Sequence, residues 1–199
     1  MPNPARCGYD LRKTRSGGAD LKRRTFLSTA ALAAAACNHR PAAYRFFTPA
    51  EAATLGAWVD ALIPADQDPG AWDAGVVNYI DRYLMRRFRK QQPAYRAALA
   101  AVDRMARAAG GKDFAALPFD ERSALLATLE DGQADRSLFP DGGKAAFNMV
   151  LDHTMQGYYG DPRHGGNKDY ASWRMIGVPP MPVRGRLHYD VKDTFPERS

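Results

Sequence analysis

His153 and His164 are the side chains best suited to holding a metal, with Asp152 and Asp161 beside them in sequence. Imidazole and carboxylate both ligate zinc and its neighbours. Their separation across a glycine-rich stretch matches no standard ligand spacing. Packing and hydrogen bonding are therefore the expected work of both rings, and no metal site is expected. His153 falls on the last turn of a predicted helix, where an imidazole can cap carbonyls. Asp161-Pro162-Arg163-His164-Gly165-Gly166-Asn167 is the most unusual segment of the chain. One reading is an anion nest of glycine amides with Arg163 beside it. A second is an ordered turn, opened by Asp161-Pro162 and completed by Gly165 and Gly166. A third is a loop that docks on a partner. No nucleophile–base pair accompanies the segment, so a docking turn is favoured over catalysis and no catalytic residue is expected. Tyr158, Tyr159, Tyr170 and Trp173 cluster around it, and aromatics with arginine are enriched at interface hot spots. These rings cover one end of the fold, contact a partner, or do both. The expected partner-contact set is Tyr158, Tyr159, Asp161, Arg163, His164, Asn167 and Trp173.

Other chemistries lack their residues. No Gly-x-Gly-x-x-Gly follows a strand pattern, no Walker sequence or serine elbow occurs, and no Cys-x-x-Cys-His could attach haem. The two cysteines, Cys7 and Cys37, are too few for an iron–sulfur cluster or a structural zinc. No cofactor is expected in this chain.

Charge is unevenly distributed. The 199 residues carry 28 Lys+Arg and 22 Asp+Glu, a formal net charge of +6. Residues 1–37 hold seven of the basic residues and two of the acidic ones, which leaves 21 and 20 from Asn38 onward. The basic pI of about 9.4 thus belongs mainly to the N-terminus, and the near-neutral body gives no footprint for nucleic acid. In the leader, Arg23-Arg24-Thr25-Phe26-Leu27 precedes a short run of small and apolar residues from about Thr29 to Ala36. That run is too short to span a bilayer, which needs roughly 20 apolar residues, and it fits a signal-peptide h-region. The arginine pair with Phe26 and Leu27 resembles the twin-arginine export motif. Residues 1–37 are expected to be an export signal read by the twin-arginine translocase, with the mature chain in the periplasm. Cys37 follows Ala34-Ala35-Ala36 and is either a lipidation site or the end of an ordinary Ala-x-Ala cleavage pattern. With Cys7 lost, no intrachain disulfide remains.

The body, residues 38–156, must position whatever the tail carries. Thr48-Pro49-Ala50-Glu51 is a helix start with a capping box, and Leu55, Trp58, Val59, Leu62 and Ile63 give it one buried face. Pro64 ends it. A second helix is predicted from about Ala71 to Gln91, striped by Val76, Val77, Ile80, Leu84 and Phe88. Arg82, Arg86, Arg87, Arg89 and Lys90 gather toward its end, where cations complement the macrodipole. A third starts near Pro93 and stops at Gly110-Gly111, a fourth spans Phe119 to Glu130, and a fifth runs from about Asp141 to Gln156. Strand-like alternation is nearly absent. The expected fold is all-α, a compact bundle of about five helices. Residues 157–199 are expected to be an irregular, glycine- and aromatic-rich segment packing on the bundle or a partner, with one short helix over Asp169 to Ile176. Because each helix carries its own apolar face, the bundle is expected to fold without that segment.

Several motifs now resemble one family in order and spacing. Phe47-Thr48-Pro49-Ala50-Glu51 leads to Ala61-Leu62-Ile63-Pro64-Ala65-Asp66 and then Ala74-Gly75-Val76-Val77-Asn78-Tyr79-Ile80-Asp81. Gly157-Tyr158-Tyr159-Gly160-Asp161-Pro162-Arg163-His164-Gly165-Gly166-Asn167-Lys168 follows, then Trp173 and Ile176-Gly177. Over about residues 45–180 the chain resembles the gluconate 2-dehydrogenase subunit 3 family. The resemblance implies a small non-catalytic subunit of a membrane-bound dehydrogenase complex. It implies a glucose–methanol–choline-type flavin subunit carrying FAD and a cytochrome c subunit carrying haem c as partners. It also implies that the small subunit takes the flavin subunit through twin-arginine export. A free-standing periplasmic lipoprotein or small-anion binding module is the competing expectation.

Overall fold

The computed structural model of the chain describes residues 44–178, all within one compact unit. The export signal at Arg23, Arg24, Phe26 and Leu27, the lipidation candidate Cys37 and residues 179–199 lie outside the described residues. Six α-helices and no strand occur among the described residues. They are α1 (Pro49–Leu62), α2 (Val76–Leu84), α3 (Gln92–Gly110), α4 (Phe119–Glu130), α5 (Lys144–Tyr159) and α6 (Ala171–Met175).

Helix α1 begins as its sequence dictates. The Thr48 amide donates to Glu51 Oε2 at 2.8 Å and the Glu51 amide donates to Thr48 Oγ1 at 3.3 Å, a reciprocal capping box. Leu55, Trp58 and Val59 are fully buried. The chain before α1 is held by a buried carboxylate on α2. The backbone amides of Arg45, Phe46 and Phe47 all donate to Asp81, at 2.8, 2.9 and 3.1 Å.

The second predicted helix is shorter than its stripe suggests. Residues 71–75 form turns, and α2 starts only at Val76, after Gly75 in the left-handed region. It stops at Leu84 because the chain folds into a turn. The Arg86 and Phe88 amides both bond the Tyr83 carbonyl, and Gln92 Nε2 donates to the Leu84 carbonyl at 2.9 Å. The apolar residue Phe88 still reaches the core, but from this turn. Helix α4 occupies the predicted range. Helix α5 starts later than predicted, behind Gly143, and continues through Tyr159, three residues past the boundary placed at 156.

The core is shared by all the longer helices. Leu55, Trp58, Val76, Ile80, Leu84, Tyr95, Leu99, Val102, Leu129 and Val150 are essentially without solvent contact. Tyr158 and Ala171 belong to the same cluster, so the region after 156 is part of the fold.

Candidate functional site

The segment from Tyr158 to Val178 is built around the end of α5. A helix leaves its last four carbonyls without helical partners, and side chains or water must take them. Here three side chains do so in succession. Ser172 Oγ donates to the Tyr158 carbonyl at 2.6 Å, Trp173 Nε1 donates to the Tyr159 carbonyl at 2.9 Å, and Asn167 Nδ2 donates to the Gly160 carbonyl at 2.9 Å. Asn167 Oδ1 accepts the Ser172 amide at 2.9 Å, which closes the motif on itself. Asn167 has φ 46° and ψ 42°, a left-handed conformation that asparagine tolerates better than most residues. Asp169 and Tyr170 are also left-handed, at φ 55° and 59°. For a bulky tyrosine that is a strained backbone, of order 1–3 kcal/mol, which the surrounding contacts must hold in place.

The segment is also tied to α2 and the turn before it. Tyr158 Oη donates to the Pro69 carbonyl at 2.8 Å, the Lys168 amide donates to the Ala74 carbonyl at 2.9 Å, and Asn78 Nδ2 donates to the Gly165 carbonyl at 2.8 Å. Gly166 is required by close approach: a side chain there would run into the Gly157 carbonyl.

These contacts divide the expected partner-contact residues. Tyr158 is 1% exposed and Asn167 not at all, so both face inward. Trp173 is half-buried, and its indole N–H is spent on α5. Asp161 and Arg163 satisfy each other: Nη2 and Nε of the guanidinium reach the two carboxylate oxygens at 2.6 and 3.0 Å. That guanidinium holds Asp161 below the usual carboxylate range. An anion nest at Gly165–Asn167 would thus have an already neutralised arginine beside it. His164 and Tyr159 remain exposed, His164 edge-on to Tyr83 at 5.8 Å.

His153 and His164 are not brought together, and the described residues hold no group of three or more His, Cys, Asp or Glu placed to share a metal. His153 is buried, stacked on Phe88 with ring centroids 3.8 Å apart, and 2.7 Å from Tyr95 Oη. Burial pushes the Tyr95 phenol up and the His153 imidazole down, the second against Asp152 nearby. Both shifts favour neutral partners, joined by one hydrogen bond between the phenol oxygen and Nδ1. This is the nearest approach to an acid–base pair, and Tyr95 has no solvent contact through which a substrate could reach it.

A second surface was not legible in the sequence. Trp72 is 46% exposed and its six-membered ring packs against Gly56 of α1, where any side chain would collide with it. It borders a recess of about 330 Å³ lined also by Ala57, Asp60, Ala115 and Arg122. Arg122 stands 5.9 Å from the exposed Phe119 ring and 3.7 Å from Asp60. Trp72, Phe119 and Arg122 come from two separate stretches of chain, so no local pattern announces them. Gly56 in the middle of an apolar helix was the one available signal.

Residues 49–180 match the family described as Gluconate 2-dehydrogenase subunit 3. No curated protein and no solved structure matches the chain.

Proposed function

The chain belongs to the gluconate 2-dehydrogenase subunit 3 family, and from that membership we propose that it is the non-catalytic small subunit of a periplasmic flavin dehydrogenase complex acting on a sugar or polyol. The family match over residues 49–180 is the observation that carries this reading. Its work is to escort a glucose–methanol–choline-type flavin subunit through twin-arginine export and to stabilise it afterwards. FAD and haem c belong to the flavin and cytochrome c partners, a reading supported by a sequence with no Cys-x-x-Cys-His motif and no dinucleotide fingerprint.

The structure supports a binding role through two faces. One carries Trp72, Phe119 and Arg122, the residue types that dominate interface energetics. The other carries Tyr159, Arg163 and His164 on the capped end of α5. Arg23→Lys with Arg24→Lys tests the escort role. Both this chain and its flavin partner should then accumulate in the cytoplasm. A flavin subunit that still reaches the periplasm overturns the reading.

A further inference from the structure

We propose that the turn Met85–Lys90 is a docking surface for an anionic phospholipid bilayer. The argument begins with where α2 ends. Its last residue is Leu84, so Arg86, Arg87, Arg89 and Lys90 lie beyond the helix and are not accounted for by its dipole. All four are exposed, and none forms an ion pair with a described residue.

The turn is held from beneath. Phe88 is buried against His153 at 3.8 Å, and Gln92 Nε2 closes the turn onto the Leu84 carbonyl. With Phe88 inward, Met85 and the four cations point out, and Met85 is 46% exposed. Residues 44–178 carry 16 basic and 17 acidic residues. Five of the basic ones lie within residues 82–90, which leaves the remainder with 11 basic and 17 acidic residues. The described residues thus form an acidic body with one basic turn, a charge distribution that turns that face toward a negative plane.

A bilayer fits this turn better than an acidic protein does. Protein hot spots combine arginine with exposed aromatic anchors, and the turn has arginines but no exposed aromatic: Phe88 is buried. Flexible cations around one exposed methionine match a layer of phosphates over an apolar interior. The proposal does not depend on which dehydrogenase the chain accompanies.

Residues 1–37 carry seven basic and two acidic residues and would attract anionic vesicles in their own right, so the readout must be local. In the full chain with Cys7→Ser and Cys37→Ser, an environment-sensitive fluorophore is placed at Met85→Cys, and in a second protein at Lys112→Cys. Lys112 is exposed and follows the far end of α3, a helix about 28 Å long that begins next to Lys90. Vesicles of phosphatidylcholine with phosphatidylglycerol should blue-shift the Met85 probe and leave the Lys112 probe unchanged. Vesicles of phosphatidylcholine alone, or salt near 1 M, where screening shrinks to about 3 Å, should abolish the shift. Arg86→Gln, Arg87→Gln, Arg89→Gln and Lys90→Gln together should remove it with the melting temperature unaltered. Each neutralised cation is expected to lower the partition into anionic vesicles roughly fivefold. Equal shifts of both probes, no shift at Met85, or a shift that survives the four substitutions would overturn the proposal. So would a Met85 probe that responds to the purified flavin subunit and not to vesicles, which would assign the turn to an acidic protein.

Discussion

His153 shows how burial decides what a reactive side chain does. By composition it was a metal candidate. In the structure it stacks on Phe88, lies 2.7 Å from the Tyr95 hydroxyl, and burial pushes its imidazole toward the neutral form. The unfolded chain binds a proton at His153 near pH 6.5, and the folded chain only at lower pH. Stability is therefore fully present above about pH 6.5 and declines as pH falls below it, by at most about 1.4 kcal/mol per pH unit from this group. Melting temperatures between pH 7.5 and 5.5 should fall for the native chain, and the fall should be smaller in His153→Gln, which keeps an acceptor but does not titrate. Asp81 gives a second prediction at this scale. Three backbone amides lose their acceptor in Asp81→Ala, that of Phe47 buried and those of Arg45 and Phe46 partly so, and a buried amide left unpaired costs about 1–3 kcal/mol. Urea unfolding should show a loss of about 3 kcal/mol or more. Asp81→Asn, which keeps the oxygen bonded to Phe46 and Phe47, should lose less. The Asp81 role had no sequence signal, since its partners are backbone amides some 35 residues away.

Elements were legible in proportion to how local their causes are. The capping box of α1 lies within a single stretch of sequence, as does the whole of α4, where Leu126 and Leu129 face inward, and both helices form where predicted. The stripe from Val76 to Phe88 is a single pattern that the chain divides. Phe88 enters the core from a turn, and a periodicity count cannot separate that from a continuing helix. The end of α5 is where the causes lie farthest along the chain, and the helix runs three residues past the predicted boundary. Its carbonyls are capped by Asn167, Ser172 and Trp173, 7 to 14 residues farther on, so residues 157–178 complete the bundle and do not merely lie on it. A chain ending at Gln156 loses those three caps and the buried Tyr158 and Ala171, and should show no cooperative thermal transition. Ser172→Ala removes one buried hydrogen bond and should cost about 1–3 kcal/mol, since the Tyr158 carbonyl is left buried without its donor.

At the scale of the whole molecule, the proposed escort role turns on which surface would meet a flavin subunit. From sequence, the segment after Gly157 carries that role as a group, with Tyr158, Tyr159, Arg163 and Trp173 among its anchors. The structure separates them from a second group that only the tertiary fold assembles: Trp72 over Gly56, with Arg122 and Phe119 across the recess. The two tryptophans should therefore behave differently. Trp173 donates its indole N–H to α5, so Trp173→Ala should lower the melting temperature of the free subunit whatever it does to the complex. The indole nitrogen of Trp72 has no hydrogen-bond partner among the described residues that its loss would leave unsatisfied, and nearly half of its surface is open. Its truncation should change the melting temperature little. Anchors of this type lose about 2 kcal/mol or more of binding when cut to alanine, so Trp72→Ala should weaken co-purification of the flavin subunit about thirtyfold or more. Gly56→Ala offers a second route to the same surface, because the added methyl displaces the Trp72 ring without removing it. Thermal melts of the free variants beside titrations with the flavin subunit decide the matter. If Trp72→Ala binds as well as the native chain while Tyr159→Ala does not, the contact lies on the capped end of α5, and the Trp72 recess is a surface of the bundle alone.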